Sequence, residues 1–209
     1  GPWTKTKIDG REVDFWNLGE GQGTVRFGGF ISKISGPVFG GFKARQEYWD
    51  LSEKARNKIP INEVWDIKAF AGKLNDREIW IIDLITVFNN TLENPIEFEQ
   101  YRYGGGIGFR ATEKWTKDNC SVLTSDGKTR KDADGSRARW CDINGDTGDG
   151  QRSGIVFLSH TANREHPEPV RVWPMDANGG RGDMFFEFCP IRLKGWLIEP
   201  KKEYVLRYR

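Results

Sequence analysis

The sequence predicts an all-β protein, specifically a large antiparallel β-sandwich. Three observations carry that prediction. Turn signals built on Gly, Pro, Asn and Asp recur between short runs of residues. Those runs favour β-branched and aromatic side chains, with 9 Trp, 13 Phe and 5 Tyr in 209 residues. Only one window, LSEKARNK at residues 51–58, is a good helix former, and it is long enough for no more than a surface turn of helix. Strands this numerous, with so little helix to cover them, bury their faces against one another.

Asp9-Gly10 in KIDGREVDFW reads as a hairpin turn, followed by a strand in which Val13 and Phe15 alternate with Glu12 and Asp14. Further strands are expected at residues 24–34, 38–48, 64–71 and 78–88, separated by Ser35-Gly36-Pro37 and by the polar KLND turn. Both alternating faces of the last are apolar, with Ile79, Ile81, Ile85 and Val87 on one and Trp80, Ile82, Leu84 and Phe88 on the other. Such a strand is expected to be buried on both sides near the middle of a sandwich. Asn94-Pro95 opens a strand that reaches Tyr103, and residues 107–115 return after the glycines. Strands then follow at 137–143, 154–160, 170–173, 185–188 and 204–208.

The length suits one substantial domain, and no repeat, low-complexity segment or compositional break divides it, so residues 1–209 read as a single domain. The 32 basic and 30 acidic residues are interspersed and leave a net charge of +2, which offers no footprint for a phosphate backbone and argues against nucleic acid as a partner. The longest apolar stretch, IWIIDLITVF, falls short of the roughly 18 to 20 residues of a membrane span. Cys120, Cys141 and Cys189 lack CxxC spacing and are accompanied by only two histidines, so neither a metal site nor a cofactor is expected. One disulfide plus a free thiol, or three buried thiols, both fit. Nucleophile elbow, P-loop, Rossmann and zinc motifs are all missing, which removes the usual warrants for hydrolase, kinase and nicotinamide readings.

The residues with chemistry concentrate between Arg102 and Asp142, where glycine, arginine, tryptophan and acids alternate with almost no aliphatic filler. Three glycines after Tyr103 permit positive φ or a close approach to the backbone. Flanked by Arg102 and Arg110, they read either as a rim that fixes an anionic or polyhydroxylated ligand with guanidinium forks, or as a glycine bulge with surface ion pairs. In SRARWCD, alternation puts Ala138, Trp140 and Asp142 on one face; Trp140 beside Asp142 suits a sugar, as a flat platform next to a hydroxyl acceptor, and equally suits a core Trp with an acid at the strand end. DINGDTGDG spaces oxygens at Asp142, Asn144, Asp146 and Asp149 but lacks the bidentate Glu of a calcium loop and matches an ordinary exposed turn. His160 ends an apolar strand, where a rim imidazole can transfer protons or fix a ligand, while His166 before Pro167 reads as a loop residue.

Taken in order, DFWNLG, GTVRFGGF, SGPVFG, YRYGGGIGFRATEKW, SDGKTRKDADGSRARWCD, FLSHTANREHPEPVRVWP and RGDMFF resemble the bacterial PmoA-like family over nearly the whole chain. The oxygenase activity in that family's label has no support in a chain with two histidines and no apolar span. The resemblance implies a sandwich similar to the galactose-mutarotase supersandwich, and a periplasmic or extracellular protein of bacterial polysaccharide utilisation. It implies that Arg110, Trp140, Asp142, His160, Asn163 and Arg171 fall in recurring motifs. Many relatives carry Lys-Glu before the glycines and Asp-His-Pro around the histidine, where this chain has Arg102-Tyr103 and Ser159-His160-Thr161. Relatives also begin earlier and run past the RYR strand, so the resemblance implies truncation at both ends, with a missing segment or a homo-oligomer partner completing the domain. The expected function is binding of a carbohydrate ligand through Arg102, Arg110, Trp140, Asn163 and Arg171. In an enzymatic version His160 transfers the proton with Asp142 as its carboxylate partner. The alternative is a non-catalytic carbohydrate-binding or structural assembly module.

Overall fold

A computed structural model describes residues 2–55, 58–148 and 150–209. The chain is all-β, 53% strand against 1% helix, as the turn and strand patterning predicts. Its strands begin with β1 (Thr6–Ile8), β2 (Arg11–Val13), β3 (Gly23–Ser35), β4 (Gly40–Asp50), β5 (Ile61–Leu74), β6 (Arg77–Asn90) and β7 (Ile96–Phe98). These are followed by β8 (Gly108–Arg110), β9 (Cys120–Thr124), β10 (Arg137–Ala138), β11 (Trp140–Gly148), β12 (Gln151–Leu158), β13 (Glu168–Val172) and β14 (Phe185–Phe188). The last two are β15 (Trp196–Ile198) and β16 (Glu203–Tyr208). Contacts group the chain into two compact units, Pro2–Glu99 with Gly195–Arg209, and Gln100–Lys194. Among the described residues no helix is long and apolar enough to cross a membrane.

The first unit holds a five-stranded sheet in the order β16-β6-β5-β4-β3 and a four-stranded sheet in the order β15-β7-β1-β2. Aromatic side chains fill the space between them. Trp3 stacks on Phe98 at 4.0 Å, and Phe88 of β6 meets Trp3, Trp196 and Tyr204. Asp9 and Gly10 both have positive φ, 48° and 75°, which gives the turn twist that a two-residue hairpin needs. Asn75 and Asp76 do the same for β5 and β6. Val13 and Phe15 each keep 1% exposure, so the alternation read from the sequence points into the core.

One expectation fails in this unit. Strand β6 is not buried on both sides along its length: Trp80 is 71% exposed and Ile82 49%. The cause is a mismatch of lengths, because β5 and β6 run for 14 residues each whereas β1, β2, β7 and β15 have 3. At about 3.3 Å per residue the short sheet covers one end of the long one and leaves the other uncovered. The surface turn of helix expected at 51–58 is a hydrogen-bonded turn over its described part, closed by the Ala55 N–H on the Ser52 carbonyl and tied down by Arg11, which donates to Ser52 and Asp50. Arg56 and Asn57 lie outside the described residues.

The second unit packs a sheet of order β10-β13-β14-β8 on a sheet of order β12-β11-β9. Phe157 sits between Phe109 and Phe186, at 5.7 and 5.3 Å. A single residue, Arg139, separates β10 from β11, so the chain changes sheets there. Its N–H donates to the Ser125 hydroxyl and its carbonyl accepts from the Ser159 N–H, which satisfies the backbone at the crossing. Cys120, Cys141 and Cys189 are buried free thiols. Burial pushes the Cys141 thiol up to about 12, which makes it a poor nucleophile.

Candidate functional site

Strand β14 reads FFEF, and its period of two sorts those side chains by face. Phe186 and Phe188 belong to the core of the second unit, which leaves Phe185 and Glu187 on the opposite face. The register extends that face across the sheet: Arg171 of β13 lies opposite Glu187, and Arg110 of β8 opposite Phe185. The Trp173 ring lies 5.3 Å from that of Phe185, so the indole is on the same side. Arg110, Arg171, Trp173, Phe185 and Glu187 therefore share one face of the sheet, on which Arg171, Phe185 and Glu187 are buried and Arg110 is exposed.

Residues 101–106 lie over it. The Tyr103 hydroxyl accepts hydrogen bonds from Trp173 Nε1 at 2.9 Å and from Arg171 Nη2 at 3.1 Å. The exposed Arg110 guanidinium lies 4.5 Å from the Trp173 ring and 5.1 Å from Phe185; those of Arg171 and Arg102 lie 5.0 and 5.4 Å from Tyr103. Stacking on a ring satisfies the flat face of a guanidinium and leaves the N–H edges of the exposed Arg110 and Arg102 to a ligand, whereas Arg171 is buried and its Nη atoms are engaged by Tyr103, Asp134 and the Val172 carbonyl. Arg171 is further fixed by Asp134 at 2.8 Å, and Asp134 also pairs with Arg192 at 3.0 Å. Partial burial opposes the charge on Asp134, but the hydrogen bonds from Arg171 and Arg192 hold its carboxyl below the ordinary range.

The glycine run makes this arrangement possible. Gly104 and Gly105 have φ of +110° and +87°, and a Cβ on Gly106 would sit 1.8 Å from the Phe188 carbonyl oxygen. Only glycine lets the segment lie this close to β14. The Gly104 N–H donates to Glu187 Oε1 at 3.0 Å. Glu187 Oε2 has no hydrogen-bond partner among the described residues, and burial raises this carboxyl to about 7.

A second surface lies on the three-stranded sheet. Trp140 and Asp142 share one face of β11, opposite Cys141 and Ile143, which are fully buried. Leu158 and Val156 of β12 stand across from them, and Leu123 of β9 lies on the other side of Asp142. Asn144 Nδ2 donates to Asp142 Oδ1 at 3.4 Å. Arg152 donates to Asn144 and Asp146 at 2.6 Å each, so a cation of the chain itself engages two of the oxygens of DINGDTGDG; Asp149 lies outside the described residues.

A family model described as a family of unknown function, DUF6807, matches residues 1–209. The chain belongs to the DUF6807 family. No curated protein and no solved structure matches it.

In this DUF6807 chain, three of the residues expected to bind a ligand, Arg102, Arg110 and Arg171, come together around Tyr103. Trp140 and Asp142 share the other sheet's outward face. His160 is exposed beyond β12, its Nδ1 accepting from the Ala162 N–H at 3.0 Å. Among the described residues no hydrogen bond or ion pair joins it to Asp142. Asn163 is buried, and its amide donates to Glu168 Oε1 at 2.8 Å; the Ser159 hydroxyl donates to the same oxygen and lies 3.2 Å from His166 Nδ1. That network places Asn163 in the interior rather than on a ligand surface. Sequence reasoning missed Trp173, Phe185, Glu187 and Asp134. Alternation in RVW and FFEF was the available signal, since both pairs fall on one face.

Proposed function

We propose that this chain binds a carbohydrate on the face of the four-stranded sheet that carries Arg110, Arg171, Tyr103 and Trp173. The observation behind this reading is the packing of exposed guanidinium planes on indole and phenol rings, with Arg110 4.5 Å from Trp173 and Arg102 5.4 Å from Tyr103. The rings hold the guanidinium planes in place, and the free guanidinium edges donate to the oxygens of a sugar. The PmoA-like resemblance extends the proposal to an exported or periplasmic protein of bacterial polysaccharide utilisation. The reading is one of binding first, by a module that holds glycans without transforming them.

Turnover is a second reading, favoured by one observation. Trp140 and Asp142 face outward beside Val156 and Leu158, and His160 follows Leu158 by two residues, at the end of the same row. In that version His160 transfers the proton and Asp142 supports it once a glycoside is bound, in hydrolysis, elimination or epimerisation.

A glycan array with the chain, followed by calorimetry and product analysis on what binds, tests both readings. Binding should appear, and Trp173→Ala, with an unchanged circular dichroism spectrum, should weaken it by about tenfold. An array with no saccharide bound below about 1 mM would sink the proposal. Full turnover by His160→Ala would remove the catalytic version.

A further inference from the structure

The surface around Tyr103 has an unequal supply of charge. Five guanidinium groups and three carboxyl groups belong to it or border it: Arg102, Arg110, Arg171, Arg181, Arg192, Asp134, Asp183 and Glu187. Arg171 and Arg192 both pair with Asp134, so each is engaged within the protein although the trio keeps an excess positive charge. Asp183 is engaged by Arg181 and then Asn178, which donate to it and, together with the nearby charge of Arg110, hold its carboxyl down to about 2. Glu187 is 1% exposed and lies beneath the glycine segment.

Arg102 and Arg110 remain. Both are exposed, both lie against rings of the Tyr103–Phe185–Trp173 cluster, and neither forms an ion pair among the described residues. Guanidinium groups donate only; they carry five N–H donors in a fixed fork and no acceptor. A neutral saccharide presents hydroxyls that both donate and accept, and its donors would find no partner on these two side chains. A carboxylate is acceptor-only, negatively charged and shaped for the fork.

We propose that the saccharide held on this face is acidic, a hexuronate-containing glycan whose carboxylate docks on Arg110, with Arg102 adding charge at the rim. The inference rests on the carbohydrate site proposed above and names its ligand class. A planar carboxylate can meet two N–H groups of Arg110, whose flat face the Trp173 ring holds in place.

Calorimetric titration of the whole chain with oligogalacturonate and oligoglucuronate, each beside its carboxyl-reduced counterpart and a sulfated neutral oligosaccharide, tests it. The acidic oligomers should bind about thirtyfold more tightly than the reduced ones, with affinity falling as salt rises. Arg110→Gln, exposed and with an unchanged circular dichroism spectrum, should erase most of that ratio; Arg77→Gln, on the other unit, should leave it intact. Equal affinity for acidic and reduced oligomers would overturn the inference and spare the carbohydrate site. Preference for the sulfated oligomer over the uronates would overturn the carboxylate assignment. Binding of none of the saccharides would overturn the site itself, and an unaltered ratio in Arg110→Gln would remove Arg110 from it.

Discussion

Glu187 carries a proton where most glutamates have lost theirs. Burial lifts its carboxyl from 4.5 to about 7. Between those values the folded chain holds a proton that the unfolded chain has released, so unfolding gives up protons and stability falls as pH rises from about 4.5 to about 7. Below that window both states are protonated, and above it both are ionised. The shift corresponds to about 3 kcal/mol across the window. Urea unfolding measured at half-unit steps of pH should show this decline, and Glu187→Gln should flatten it. A slope unchanged in the variant would assign the proton elsewhere. The arginines of this face were legible in the sequence because they stand among glycines and aromatics with little aliphatic filler. Glu187 was not, because its acid lies inside the run FFEF, and seeing it required asking which side of the strand each residue faces.

At the scale of elements, hairpin turns were the most legible feature. Asp9-Gly10 and the KLND turn both form two-residue connections with two positive φ values, since Asp, Asn and Gly tolerate the left-handed region. Asp76, at φ 63°, is the less suited residue of its pair. Asp76→Gly should raise stability by up to about 1 kcal/mol, or about 2 to 4 °C in Tm by calorimetry; an unchanged or lower Tm would show that the end of this hairpin does not limit stability. Strand ends were less legible. Residues 185–188 were placed correctly, whereas 107–115 keeps only Gly108–Arg110 in strand, and β9 and β15 were not anticipated. In β9 the signal existed, since Cys120, Val122 and Thr124 point inward while Ser121 and Leu123 do not. The window at 51–58 goes no further than a turn over its described part, because so short a segment has little intrinsic helix stability and its first part is held by Arg11.

For the whole molecule, stability is distributed unevenly along the same strands. Phe88 and Trp80 lie on one face of β6, the first 1% exposed among aromatic rings and the second 71% exposed. Phe88→Ala should cost about 3 to 5 kcal/mol by denaturant unfolding, and Trp80→Ser about 0.5 kcal/mol or less. Comparable losses would mean that the outer half of the sheet carries packing of its own. In the second unit the two sheets are not independent layers. The chain passes from one to the other across Arg139 alone, with both backbone groups of that residue hydrogen-bonded. There is no slack loop at the crossing to absorb a displacement. If β10 peels from β13, it pulls directly on the first residue of β11, so melting transmits from sheet to sheet, and the Tyr103 face shares the fate of the Trp140 face as one cooperative block.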